Sequence, residues 1–376
     1  MNKTETFLLN IVKSGIWNSP ISEQSVLTLV ELKRVIYFAK EHAVQGLVAN
    51  AAMQGHFSLS DSRDNCKEMT VMNLMKVNLQ HQRNYFKFEN ALADFAQLMD
   101  KHKVRYVVFK GVAVARHYPQ PYARTMGDVD FYVPASDFKR AVKVIENELH
   151  VDIEKEDVDK HFSFDYHGIR FEMHYQIETF GNGRHQRYFN RLIDETLANG
   201  ADCFSITDTE NGVGETMVSV LPPTEDIIVV FKHWFNHLLV EGVGLRQTTD
   251  LAVLLMVYQD KIDVVRMMKT LNNIGYMNAF RAMLAMMRKY FGVSYADSFC
   301  VLNGKDERYA EKLMATVMKS GNFGRKAYTN HTSGKKKSME TATRALRHCV
   351  KFFWLASWDI CCLVPKRIWI TMKQKI

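Results

Sequence analysis

Two changes of hydrophobic period divide this chain and limit the folds open to it. Up to about residue 100, Val26, Leu29, Val30, Leu32 and Ile36 recur mostly at three- and four-residue spacing. Leu74, Val77, Phe88, Leu92, Phe95 and Leu98 do much the same. That spacing lines one face of a helix. The pattern then shortens. Residues 105–109 (RYVVF) form a β-branched and aromatic run closed by Lys110-Gly111, and residues 128–133 (DVDFYV) begin with polar and apolar positions alternating at period two. Both read as strands. Strand-like runs at 161–167 and 169–177 meet at Gly168, which suggests a tight reversal, and a hairpin is expected from 203–207 to 216–221 across the turn-rich 208–214. From Pro222 to about Ser320 the helical period returns.

The expected fold is therefore mixed α/β (α+β): a small mixed sheet flanked by N- and C-terminal helical regions. A chain of 376 residues exceeds what one core usually holds. The reading divides it into a helical region at 1–100, a sheet-bearing core at 101–221, a helical domain at 222–320, and a linker with a basic helix at 321–376. Local punctuation adds detail. Residues 112–118 can form a helix leaving Gly111, broken by Pro119 and Pro121. Ser136 is the expected cap of the next helix, and Thr224 that of the helix after Pro222, with Glu225 and Asp226 suited to its positive end. The stretches 181–187 (GNGRHQR) and 321–337 have the composition of connecting segments.

Six cysteines without a CxxC pair fit free thiols in a reducing compartment. The N-terminus lacks the long apolar region of a secretory signal, and no run of about 18 apolar residues suggests a spanning helix. The expectation is a soluble cytoplasmic protein. The net charge of +8 permits a nucleotide or polyanion as partner. Residues 335–376 hold ten Lys or Arg against two acids. They suit a helix packed on the body with a solvated basic face, the preferred reading. The alternatives are an anionic membrane surface or a nucleic-acid patch.

The chemistry centres on Asp128 and Asp130. Period two puts both carboxylates on one face of the strand, where their mutual repulsion is relieved by a cation. Oxygen ligands of this hardness suit Mg²⁺ or Mn²⁺. Glu172, on the expected strand RFEMH at 170–174, is the candidate third carboxylate. A DxD triplet alone is usually solvated surface charge. Its company raises this one: Lys110-Gly111 ends the preceding strand and opens a helix N-terminus, a setting that favours phosphate. Arg124 lies just upstream.

Together these residues resemble the nucleotidyltransferase superfamily pattern of strand, glycine turn, helix, DxD strand and a further strand with one acid. The resemblance is closest to the bacterial "uncharacterised nucleotidyltransferase" family. It is carried by residues 107–115 (VVFKGVAVA), Tyr118 and 124–133 (RTMGDVDFYV), then by 171–174 (FEMH), His233 and His237, and 244–252 (GLRQTTDLA) with Arg246 and Asp250. The segment 41–46 (EHAVQG) is similar too, so the likeness spans roughly residues 20 to 260. It implies metal-dependent transfer of a nucleoside monophosphate from a nucleoside triphosphate such as ATP to a hydroxyl-bearing acceptor. Asp128, Asp130 and Glu172 would be catalytic and bind Mg²⁺ or Mn²⁺; Lys110, Gly111 and Arg124 would bind nucleotide. One departure stands out: the superfamily turn is usually Gly-Ser or Gly-Gly, whereas Val112 follows Gly111 here. Lys110 can supply positive charge instead. The same departure admits a non-catalytic nucleotide- or partner-binding member, and the basic C-terminal segment admits a nucleic-acid-binding protein.

Other candidates line the same region. His174, two residues from Glu172, shares its side of the strand and can ligate metal, position substrate or serve structure. His233 and His237 share a helix face but lack the intervening glutamate of HExxH, so a cleft-lining role is expected rather than zinc. Arg246 and Asp250, also four apart, are expected to form an intrahelical pair at the cleft edge. Asn236 receives no role.

Overall fold

The central sheet has seven strands in the order β5-β6-β7-β4-β3-β9-β8. They are β3 (Val107–Phe109), β4 (Val129–Tyr132), β5 (Glu154–Lys155), β6 (His161–Tyr166), β7 (Ile169–His174), β8 (Asp202–Thr207) and β9 (Glu215–Val220). The structure is a computed structural model that describes residues 1–21, 26–60, 65–155, 161–207, 215–294, 301–327 and 335–362. Pairing is mixed, with β4 parallel to β7 and antiparallel to β3, and β3 parallel to β9. Ahead of the sheet come α1 (Lys3–Trp17), α2 (Leu29–Glu41), α3 (Gln45–Met53) and the long α4 (Asn65–Lys101). A two-residue parallel pair, β1 (Val26–Leu27) and β2 (Ser58–Leu59), joins the first group. Capping boxes fix two of the helix starts, Asn2 with Glu5 and Thr28 with Glu31. Within the sheet region lie α5 (Gly111–Ala115), α6 (Ala135–Leu149) and α7 (Gly183–Ala198). After it come α8 (Pro223–Leu239), α9 (Leu245–Val257), α10 (Val264–Asn273), α11 (Met277–Phe291), α12 (Gly304–Ser320) and α13 (Lys335–Lys351).

The sheet separates two apolar cores, and its central strands feed both. Val129, Phe131 and Val133 join Val108, Phe171, Phe95 of α4 and Ile145 of α6 in one core. Val107, Phe109 and Tyr132 join the other, which also contains α1–α3 and α8–α12. Side chains alternate along a strand, so Asp130 lies on the face of the larger helical core, between Val129 and Phe131 of the opposite face. The N- and C-terminal helices share that core, and the Trp17 indole N–H donates to the Phe291 carbonyl at 2.9 Å.

The β6–β7 reversal has consecutive positive φ angles at His167 and Gly168, 50° and 66°, the signature of a type I′ hairpin turn. The β8–β9 hairpin forms as expected, while its connection at 208–214 lies outside the described residues. Several local expectations are corrected. The polar stretch 181–187 is the start of α7, capped by the Asn182 side chain accepting from the Arg184 N–H at 2.8 Å. Its apolar face, with Phe189, Leu192, Ile193 and Leu197 buried, begins only after the polar first turn, which hid the helix. Pro134 and Pro222 occupy the cap positions expected of Ser136 and Thr224. Both hydroxyls serve elsewhere: Ser136 accepts from Arg105 and Thr224 from the Asp263 N–H.

The expected linker after residue 320 begins as a 3-10 turn, Asn322–Ala327. A side chain at Gly244 would run into the Asn322 backbone, so this turn is packed against the start of α9; residues 328–334 are not among those described. The C-terminal segment docks through buried Cys349, Phe352, Leu355 and Ile360. The buried Asp359 carboxylate accepts from the Asn182 N–H at 3.0 Å and from the Tyr276 hydroxyl. Its outward side is not only basic, since Trp358 is 74% exposed. Among the described residues no helix is long and apolar enough to cross a membrane.

Asp226 shows what enclosure does to a helix-start carboxylate. It is buried, its Oδ1 has no hydrogen-bond partner among the described residues, and Tyr258 donates to Oδ2 at 3.4 Å. Burial, opposed by Arg116, pushes its pKa up to about 7. A raised folded-state pKa favours the protonated form, so its contribution is intact below about pH 4 and is lost as pH rises toward 7. Asp226→Asn should therefore raise the melting temperature increasingly from about pH 4 to 7 and by a constant amount above. The gap is expected to reach at most about 4 kcal/mol; thermal melts across that range check it.

Candidate active site

Register brings the site together. On the parallel pair β4–β7, Asp130 stands opposite Glu172 and Tyr132 opposite His174. Glu172 and His174, two apart on one strand, face the same side. The ligand atoms of Asp130, Glu172 and His174 all lie within 4.8 Å of one another. His174 Nε2 is 2.8 Å from Asp130 Oδ1 and 3.8 Å from Glu172 Oε2. Lys110 Nζ donates to the same Asp130 oxygen at 3.3 Å. Burial works against charge on Asp130, yet Lys110 and the His174 hydrogen bond outweigh it and hold the carboxyl well below its usual range. Burial also opposes the Lys110 ammonium, and the Asp130, Glu178, Asp128 and Glu172 carboxylates raise it nonetheless.

Asp128 sits one residue ahead of β4 and is half-buried. Burial and the Asp130 charge raise its pKa, against the opposing pull of Lys110, Arg246 and Arg124. Its carboxylate is not part of the compact three-residue group.

The turn after β3 is strained. Lys110 has φ 57° and ψ −150°, a region that normally belongs to glycine and costs a side-chain-bearing residue about 1–3 kcal/mol. Gly111 follows at φ 34°, and a Cβ there would lie 3.0 Å from the Asp128 carbonyl. Glycine is required because the two strand ends approach so closely. The helix beyond it, α5, is only five residues long.

A second buried carboxylate, Glu178, was not found from the sequence. It is 2% exposed, with Oε1 3.1 Å from His233 Nδ1 and Oε2 accepting from Asn236 Nδ2 at 2.8 Å. The available signal was the unassigned Asn236, whose i, i+3 relation to His233 puts both on one face of α8. His233 Nε2 lies 3.0 Å from His237 Nε2, and His237 Nδ1 lies 3.0 Å from Glu241. Burial, with the nearby charges of Lys110 and His237, pulls the His233 pKa down to about 3, so its ring is neutral at neutral pH. These partners assign its proton to Nδ1, facing Glu178. The nitrogens of the histidine pair are thus committed to one another and to carboxylates.

Arg124 does not point at the acidic cluster. Its Nε and Nη2 donate to Oδ1 and Oδ2 of Asp250, both at 2.8 Å, and Tyr118 donates to the same Oδ1 at 2.8 Å. This corrects the expected Arg246–Asp250 pair. Helical spacing allowed that pair, but the planar fork of Arg124 takes both carboxylate oxygens. Arg246 instead reaches the Thr125 carbonyl at 3.5 Å and packs on the Phe323 ring at 5.5 Å.

A central-strand aspartate two residues after another, a glutamate in register on the parallel neighbour, and a glycine turn on the adjacent strand accompany a nucleotidyltransferase-type fold. The profile of the family described as uncharacterised nucleotidyltransferase matches residues 29–292, and the chain belongs to that family. Among solved structures, an antigenic nucleotidyltransferase-like protein from Paracoccidioides brasiliensis is similar at 11% identity and TM-score 0.36, covering 59% of this chain and 97% of that one. A search of curated proteins finds no match.

The Arg124–Asp250 clamp joins the loop before β4 to α9, and both side chains are 5% exposed. Arg124→Met or Asp250→Asn leaves one buried charge uncompensated and should cost about 3–5 kcal/mol. The double variant should lose markedly less than the sum, as measured by urea denaturation of all four proteins.

Proposed function

We propose that this protein is a metal-dependent nucleotidyltransferase that moves a nucleoside monophosphate from a nucleoside triphosphate to a hydroxyl-bearing acceptor. The observation that supports the reading is the group of Asp130, Glu172 and His174, with ligand atoms within 4.8 Å of one another beside Lys110. Two carboxylates and an imidazole fit a divalent cation: the oxygens suit Mg²⁺, and the ring nitrogen adds affinity for Mn²⁺. Bound there, such an ion would neutralise phosphate charge and orient the reacting groups. Asp130 and Glu172 would hold it, with Asp128 as a further carboxylate at the same strand end.

Lys110 keeps Asp130 ionised and presents an ammonium group where phosphates would meet the Lys110-Gly111 turn. Glu172, with 22% of its side chain exposed against 9% for Asp130, is the carboxylate open to an incoming acceptor. It would take the hydroxyl proton as the acceptor oxygen bonds to the α-phosphorus and the bond to the β-phosphate breaks, releasing pyrophosphate. Arg124, through Asp250, positions the loop that leads into Asp128.

A second reading, nucleotide binding without turnover, draws on Val112, which is 2% exposed and offers no polar side chain after Gly111. Incubation with labelled ATP, GTP, CTP and UTP, cell extract and Mg²⁺ or Mn²⁺ separates the two. Wild type should label an acceptor, and Asp130→Asn, which keeps the side-chain shape, should reduce labelling at least about 100-fold. Binding without labelling would favour the idle member. Equal metal affinity in wild type and Asp130→Asn would refute the metal site.

A further inference from the structure

The cations around the cleft are not equally engaged. Lys110 pairs with Asp130, and Arg124 is held by both oxygens of Asp250. Arg246, carried on the first turn of α9, has no carboxylate within ion-pairing distance among the described residues. Its polar contacts are thin: Nη1 meets the Thr125 carbonyl only at 3.5 Å, and its inaccessible Nε has no hydrogen-bond partner among the described residues. The side chain is half-buried, lies against the Phe323 ring, and shares its electrostatic neighbourhood with Asp128 and Arg124. Burial and the adjacent Arg124 disfavour its charge, and the more distant Asp250 and Asp128 carboxylates offset this only in part. A half-buried guanidinium with no carboxylate in direct contact among the described residues is stabilised further by an anion that arrives from outside.

Gly127 is exposed, and a Cβ at that position would lie 3.5 Å from Arg246 Nη1. The exposed residue beside this guanidinium therefore has no side chain. It directly precedes Asp128, so an anion reaching Arg246 would pass beside the strand end that leads to Asp130.

We infer that Arg246 forms an anion subsite for a polyphosphate, the tail of the triphosphate donor or the pyrophosphate released from it. A planar guanidinium can donate to two phosphate oxygens at once, and its Nη1 is engaged only by the Thr125 carbonyl at 3.5 Å. The assignment deepens the nucleotidyl-transfer reading and takes its substrate from it. It also gives Arg246 the charge-offsetting role expected of Arg124, whose donors are committed to Asp250.

Calorimetric titration of the full chain with Mg²⁺ and inorganic tripolyphosphate tests the subsite without assuming a base. AMP and each of ATP, GTP, CTP and UTP form the parallel arms. Wild type should bind tripolyphosphate, Arg246→Met should bind it at least about tenfold more weakly, and Arg246→Lys should fall between them, with AMP affinity unchanged. Circular dichroism melts establish that the variants are folded, and the lysine variant carries the test should the methionine variant fail. Equal tripolyphosphate affinity in all three proteins, no binding by wild type, or an equal loss for AMP would each overturn the assignment. Arg246-dependent tripolyphosphate binding with no binding of any triphosphate would uphold the subsite and overturn the transfer reading instead.

Discussion

An ionised carboxylate on a buried central strand is costly unless its surroundings supply partners, and much of this fold answers that need at Asp130. Lys110 comes from the end of β3, on one side of β4, and His174 from β7, on the other. Neither could reach Asp130 without the pairing of those strands. The contact also explains the backbone at Lys110, which takes up a conformation that glycine normally fills. Strain of this kind persists only where surrounding structure holds it, and it collects at functional sites.

A second buried ion pair ties the helical region to the sheet. Arg124 belongs to the loop entering β4, and Asp250 to α9. Buried pairs contribute little net stability compared with apolar residues of equal size, and their better-attested use is to fix one arrangement among several. Here the fixed arrangement is the path of the chain into Asp128. Tyr118, donating to the same carboxylate, anchors the end of the segment that follows α5. Because Arg124 is consumed in this way, Arg246 is left as the less committed guanidinium at the cleft.

Helix α8 meets the segment after β7 through polar side chains. Glu178 follows β7 and meets His233 and Asn236, while Lys232, fully buried one residue earlier, donates to the Thr179 carbonyl at 3.0 Å. The helix thus holds the segment after β7 by polar contacts to Glu178 and to the following Thr179.

The sequence by itself determined the elements whose signal is local. The strand at Asp128–Asp130, the reversal at Gly168, the β8–β9 hairpin and the helical flanks all follow from period, branching and turn chemistry within a few residues. The candidate acids and Lys110 could be named for the same reason, and the family likeness rested on those short runs. What only the tertiary structure decided was partnership. Helical spacing offered Asp250 to Arg246, but a residue more than a hundred positions away took it, because burial rewards the two-pronged contact that Arg124 makes. Glu178 has no local pattern that marks it, since its role depends on α8 crossing the end of β7. The grouping of His174 with Asp130 and Glu172, closer than Asp128, likewise depends on strand register, which hydrogen bonds between distant segments set and no single segment contains.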